Sequence, residues 1–191
     1  MFFDREQVRD KMQAWEGMLM GGSLPAWEDF PALPLYMDQV IYLMNRYLPP
    51  LLPGEPEEQA VTPAMINNYV KLKIIPAPVK KRYSRVHLAY LVMVCVLKQT
   101  LNTTEIRRLV PPDLAEDTVR SLYAAFTEEA REVRDRFCRT VRDAAQPALT
   151  EGKEPVTHLV FQFALTGNLF RALSKQIVFL RGEETPPPEG K

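Results

Sequence analysis

The apolar positions of this chain recur mostly at helical spacing. Over residues 4–20, Val8, Met12, Trp15, Met18 and Leu19 fall on one side of an amphipathic helix that Gly21–Gly22 should stop. The proline-punctuated SLPAWEDFPALP follows, with Trp27, Phe30 and Leu33 as surface anchors. Met37, Val40, Ile41, Met44 and Tyr47 predict a second helix over Leu35–Tyr47. Pro49–Pro50 should end it, because proline removes a donor and disfavours a helical conformation in the residue before it. The polar, turn-rich LLPGEPEEQAV reads as a linker.

Thr62 is placed as the N-cap of a short helix with Pro63 at its first position, running to Lys71 or Lys73. Pro76 and Pro78 prevent continuation. Ser84 can cap the next helix, Arg85–Thr100, which is apolar nearly all round and so belongs in the middle of a core. Asn102 with Glu105 three residues later has the form of a capping box for Thr103–Val110, closed by Pro111–Pro112. From Asp113 to Ala145 the apolar residues step by ~3.6, which predicts one long amphipathic helix with a charged outer face. Pro147–Pro155 reads as a turn and Val156–Arg181 as a more apolar helix, the two forming an antiparallel pair. The tail GEETPPPEGK is expected to be disordered. No alternating strand pattern exceeds a few residues, so the fold class predicted is all-α, mostly helical.

Formal charge changes this picture only through its distribution. The 24 Lys and Arg balance 24 Asp and Glu. Yet between Thr62 and Arg108 stand Lys71, Lys73, Lys80, Lys81, Arg82, Arg85, Lys98, Arg107 and Arg108, against the single acid Glu105. A basic footprint in a neutral chain suits a polyanion, or else is a solvated face. Cys95 and Cys138 are the only cysteines, too few and too scattered for a disulfide framework or a metal site. The charged start MFFDREQVRDKMQ does not resemble a signal peptide, and no run approaches the ~20 apolar residues of a membrane span. The expected location is therefore cytoplasmic, with no membrane partner.

The candidate chemistry lies in TPAMINNYVKLKIIPAPVKKRYS. On a helix over its first part, Ala64, Asn67, Asn68 and Lys71 share one side, opposite Met65, Ile66, Tyr69 and Val70. Asparagine amides can bond adenine edges in the major groove, and lysine neutralises phosphate. Asparagine is a poor helix-interior residue, so two together either simply face solvent or serve another purpose. The loop that follows carries Lys80, Lys81 and Arg82 and could fold into a two-strand wing beside the groove, with Tyr83 beneath it or donating to a phosphate. Lys73 and Arg85 would give support. Helix, basic wing, buried helix and short capped helix form a winged helix-turn-helix order. The two histidines, His87 and His158, have no catalytic spacing, and there is no Gly-rich phosphate loop or paired-carboxylate motif, so no enzymatic function and no cofactor are expected.

At TPAMINNYVK, IIP, KKRYS, VHLAYL and NTTEIRRLV the sequence resembles the MerR family of bacterial transcription regulators. The resemblance implies a recognition helix over the first stretch and a wing at the third. It also implies a dimer made by the long helix 113–145. Asn67 stands where that family has a DNA-contacting arginine and Asn68 where it has its first tyrosine, while Tyr69 keeps the second. Residues 30–112 also resemble an uncharacterised bacterial domain family of unknown function. The organisation expected is an N-terminal helix and linker over 1–29, a MerR-like winged unit over 30–112, a helical dimerisation or effector hairpin over 113–181, and a tail over 182–191. The function expected is sequence-specific binding of double-stranded DNA by a homodimeric transcription regulator, with a small-molecule or protein effector acting on the hairpin. A non-enzymatic protein-interaction adaptor on the same scaffold is the alternative. Phe161, Phe163 and Phe170 are expected to fill the helical core rather than line a ligand pocket.

Overall fold

The computed structural model describes residues 3–48, 61–149 and 155–180. Over these the chain forms α1 (Arg5–Gly21), α2 (Met37–Tyr47), α3 (Pro63–Lys71), α4 (Arg85–Leu97), α5 (Thr103–Leu109), α6 (Glu116–Leu149) and α7 (Val156–Leu180), with a 3-10 turn at Trp27–Asp29. The described residues are mostly helical, as the apolar spacing predicts, and their only strand-like pairings are two isolated bridges. Residues 51–60 of the predicted linker, the prolines Pro49–Pro50, residues 150–154 of the predicted turn, Arg181 and the tail 182–191 lie outside the described residues.

Helix α4 is the centre. Every residue from His87 to Cys95 is buried, as a helix without a polar face requires. Around it pack Val40 and Met44 of α2, Ile66 and Tyr69 of α3, Ile106 of α5, and Val119 and Tyr123 of α6. Trp27, Phe30 and Tyr123 stack at one edge, and the Tyr123 hydroxyl donates to the Pro25 carbonyl at 2.8 Å. Helix α6, ~50 Å long at 1.5 Å per residue, continues past this core. There its apolar stripe meets α1 and the start of α7, in a second cluster of Ala145, Leu149, Val156 and Leu159. Val178, near the far end of α7, returns to the main core that also holds Val119 and Tyr123 of the first turns of α6, so α6 and α7 run antiparallel. Helix α1 has no fully buried residue. Arg9 donates to the Leu149 carbonyl at 2.8 Å, and Glu16 pairs with Arg142 at 3.0 Å.

Three local expectations are corrected. Leu35 does not begin α2. It exchanges both backbone hydrogen bonds with Tyr83 (2.8 and 2.9 Å), because an extended residue there satisfies the groups beside the basic hairpin. Ser84 is the N-cap of α4, as expected, but its side chain makes no capping hydrogen bond to the backbone. The Ser84 N–H donates to His87 Nδ1 at 3.0 Å, so the ring three residues on closes the helix start. Phe161 and Phe170 are not core residues: they are 59% and 67% exposed. By contrast, Asn102 and Glu105 form the reciprocal box predicted, with bonds of 2.9 and 2.7 Å.

Candidate nucleic-acid interface

Helix α3 begins where the Thr62 hydroxyl accepts from the Met65 N–H at 3.3 Å, with Pro63 in its first turn. Its underside is apolar. Ile66 and Tyr69 are buried, and Lys98 of the α4 C-cap lies 5.1 Å over the Tyr69 ring. Its outer side carries Ala64, Asn67, Asn68 and Lys71, all exposed. Asn45, in the last turn of α2, accepts from the Val61 N–H at 2.6 Å and donates to the Val61 carbonyl at 3.3 Å. One side chain thus fixes the residue that enters α3.

The exit is equally ordered. The Lys73 N–H donates to the Val70 carbonyl (3.0 Å) and the Ile74 N–H to the Tyr69 carbonyl (2.9 Å), the paired bonds of a Schellman ending. Ile74, buried, packs in the same core as Tyr69. Such an ending needs a left-handed residue, usually glycine. Here it is Lys73, with φ 53°.

Seven residues later the chain reverses in two. The Arg82 N–H donates to the Val79 carbonyl at 3.0 Å around Lys80 and Lys81. Their φ values are 49° and 61°, the left-handed pair of a type I′ hairpin, where Asn-Gly is the favoured sequence. Among the described residues Lys73, Lys80 and Lys81 are the non-glycine positions with positive φ, and all three are exposed lysines.

The other residues expected in the site divide. Arg82 is exposed, and its guanidinium lies 4.3 Å over the Tyr36 ring and donates to the Tyr36 hydroxyl at 2.6 Å. Arg85 donates to the Phe30 carbonyl at 2.9 Å, which engages it with the body of the fold. Tyr69 and Tyr83 are 2% and 3% exposed, and burial raises both phenol pKa values. Their rings support the surface from below instead of forming part of it, because α3 and the hairpin need apolar footing on α4. Tyr36 and Asn45 were not legible as site residues. Tyr36 stands 46 positions from Arg82 and Asn45 stands 16 from Val61, so neither contact leaves a local pattern.

Beneath the hairpin His87 is buried, edge-on to Tyr83 with ring centroids 5.5 Å apart. Its Nε2 faces the Ala77 carbonyl at 3.3 Å. Burial holds its pKa below the ordinary histidine value, against a smaller opposing pull from that carbonyl. The Cys95 thiol is pushed up to about 12 by burial. Among the described residues no three His, Cys, Asp or Glu side chains come together as a metal site, and no helix is long and apolar enough to cross a membrane.

Compared with known protein families, residues 25–127 match the model described as Domain of unknown function (DUF1836), more than half of the chain. The chain belongs to the DUF1836 family. The match bears out the expected likeness to an uncharacterised domain family and extends it beyond 30–112 at both ends. The DUF1836 region takes in α2 to α5, the hairpin and the first part of α6, and leaves out α1 and α7. No curated protein and no solved structure matches the chain.

Proposed function

We propose that this DUF1836 protein is a sequence-specific DNA-binding transcription regulator of MerR-like type. In this reading α3 is the recognition helix and Val79–Arg82 the tip of a wing. The observation that carries the proposal is the placing of Lys73, Lys80 and Lys81. Each occupies a left-handed backbone position that disfavours lysine by ~1–2 kcal/mol relative to glycine. Strain retained at three exposed bases within nine residues is explained if their charge is needed there. Beside them α3 presents a stripe of two amides and one lysine, the residue types that read adenine edges and hold phosphate.

Asn67 and Asn68 would enter the major groove, with Ala64 allowing close approach. Lys71, Lys73, Lys80, Lys81 and Arg82 would hold phosphates. The test is a titration of the full chain into a fluorescent random-sequence duplex at two salt concentrations. The expected result is binding that weakens steeply with salt and is lost when Lys80, Lys81 and Arg82 are all replaced by alanine. A folded protein that fails to bind at low salt would overturn the proposal and favour docking onto an acidic protein.

A further inference from the structure

Helix α7 touches its own chain mainly at its ends. Val156 and Leu159 are buried at the start. At the other end Val178 is buried and Lys175 approaches Glu105 at 4.0 Å. Between them, residues 164–174 are exposed on every side for three turns. This is the reverse of what their composition demands, because a helix this apolar is ordinarily covered.

The uncovered face has a definite chemistry. At 100° per residue, Arg171 and Lys175 lie on the same side as Val178, toward the body of the protein. They are the only Lys or Arg in α7, and the helix has no Asp or Glu. The opposite side bears Leu165 (63% exposed), Leu169 (72%), Phe170 (67%), Leu173 (53%), Ile177 (57%) and Leu180 (81%). Thr166, Phe170, Leu173, Ile177 and Leu180 follow the 4-3-4-3 steps of a coiled-coil seam. With ~150–200 Å² for a large apolar side chain, the exposed apolar part of α7 is on the order of 1,000 Å². A monomer's largest patch is ~300–600 Å², whereas a stable interface takes ~800 Å² from each partner.

The remaining residues of the sequence hold too little apolar surface for a face of this size. Residues 1–2, 49–60, 150–154 and 181–191 contribute Met1, Phe2, Leu51 and Leu52 as their large apolar side chains, the rest being mostly prolines, glycines and charges. A charge-free face with a heptad seam asks for a like face, and an isologous pairing provides one.

We infer that α7 is the surface on which a second copy of this chain docks, helix against helix, across the Leu169–Leu173 region. The long helix α6 offers less free apolar surface. Its stripe is buried at Val119 and Tyr123 and, further on, at Ala145 and Leu149, which leaves Val133 and Phe137 partly exposed between them. The inference does not depend on DNA binding and is tested without DNA.

Sedimentation velocity of the full chain should give twice the 21.9 kDa chain mass. The L169E/L173E double variant should sediment as a monomer with unchanged helical content, since both side chains are exposed within one copy. A second probe is Leu169→Cys, which under mild oxidation should form a disulfide-linked dimer that denaturant does not separate. Wild-type protein that stays monomeric at tens of micromolar, or a double variant that dimerises as well as wild type, would overturn the inference. A monomer that binds anionic phosphatidylserine vesicles through α7 would overturn it in favour of a lipid surface.

Discussion

Arg82 and Tyr36 hold each other across 46 positions of sequence, guanidinium over ring at 4.3 Å and donating to the phenol oxygen at 2.6 Å. The contact ties the hairpin to the residue that precedes α2, one step from the Leu35–Tyr83 bridge. An exposed cation–π pair contributes ~0.5–1 kcal/mol. Tyr36→Ala should therefore weaken binding to any duplex by ~2–5-fold, through a less ordered Arg82, and leave the fold intact. Fluorescence anisotropy beside a thermal melt checks both halves, and an equal loss with Tyr36→Phe would assign the effect to the hydroxyl.

Lys80 and Lys81 let folding and binding be separated. Replacing them with Asn and Gly respectively supplies the preferred type I′ pair, and stability should rise by on the order of 1 kcal/mol. The same variant should bind DNA more weakly and flatten the salt dependence of log K by ~1.8, at ~0.9 for each lost phosphate contact. Urea unfolding and a salt titration of one preparation would show the opposite signs. A variant that is more stable and binds equally well would remove these lysines from the interface.

Asn67 differs from the lysines in kind. Asn67→Ala removes an exposed amide without changing charge, so the salt slope should hold while discrimination between selected and scrambled sites falls. The expected cost is ~1–3 kcal/mol at the affected base pair. Competition with single-base variants of a selected site is the measurement.

Asn45 should matter more than its distance from the proposed interface suggests. Asn45→Ala unpairs both the N–H and the carbonyl of Val61, at ~1–3 kcal/mol for groups denied a partner. Stability should drop, and amide exchange should quicken first in α3.

His87 gives a pH dependence of known sign. In the folded chain its Nδ1 accepts a hydrogen bond from the Ser84 backbone, and burial keeps its pKa below the ordinary value. Unfolded, the ring takes a proton near pH ~6.5. The stabilisation is thus complete above that pH and declines as pH falls through it toward the folded pKa. Urea midpoints from pH 8 to pH 5 should fall more for wild type than for His87→Gln.

Much of the fold could be read from local pattern. Thr62–Pro63 marks the start of α3, Asn102 and Glu105 box in α5, and the ~3.6 step of apolar residues traces α6. Of the proposed interface, the exposed stripe of α3 and the three basic residues of the hairpin were legible, because helical period and charge are local quantities. Leu35 reads as the start of a helix because its partner, Tyr83, lies 48 residues away and backbone pairing leaves no trace in composition. Helical spacing already puts Tyr69 on the packed side of α3, whereas Tyr83, between Arg82 and Ser84, could lie beneath the hairpin or at the surface, and the core takes both rings. For α7 the spacing tells that the helix needs cover; whether the cover comes from the same chain is not written in a periodicity.

Because α4 has no outward face, nine consecutive side chains are committed to their neighbours, and the platform under α3 offers no silent site. On the proposed reading, retuning what the protein binds is therefore left to the skin, to Ala64, Asn67, Asn68 and the turn lysines, where residues can change without loosening the frame. Surface and foundation are separable in this chain: one can drift while the other stands still.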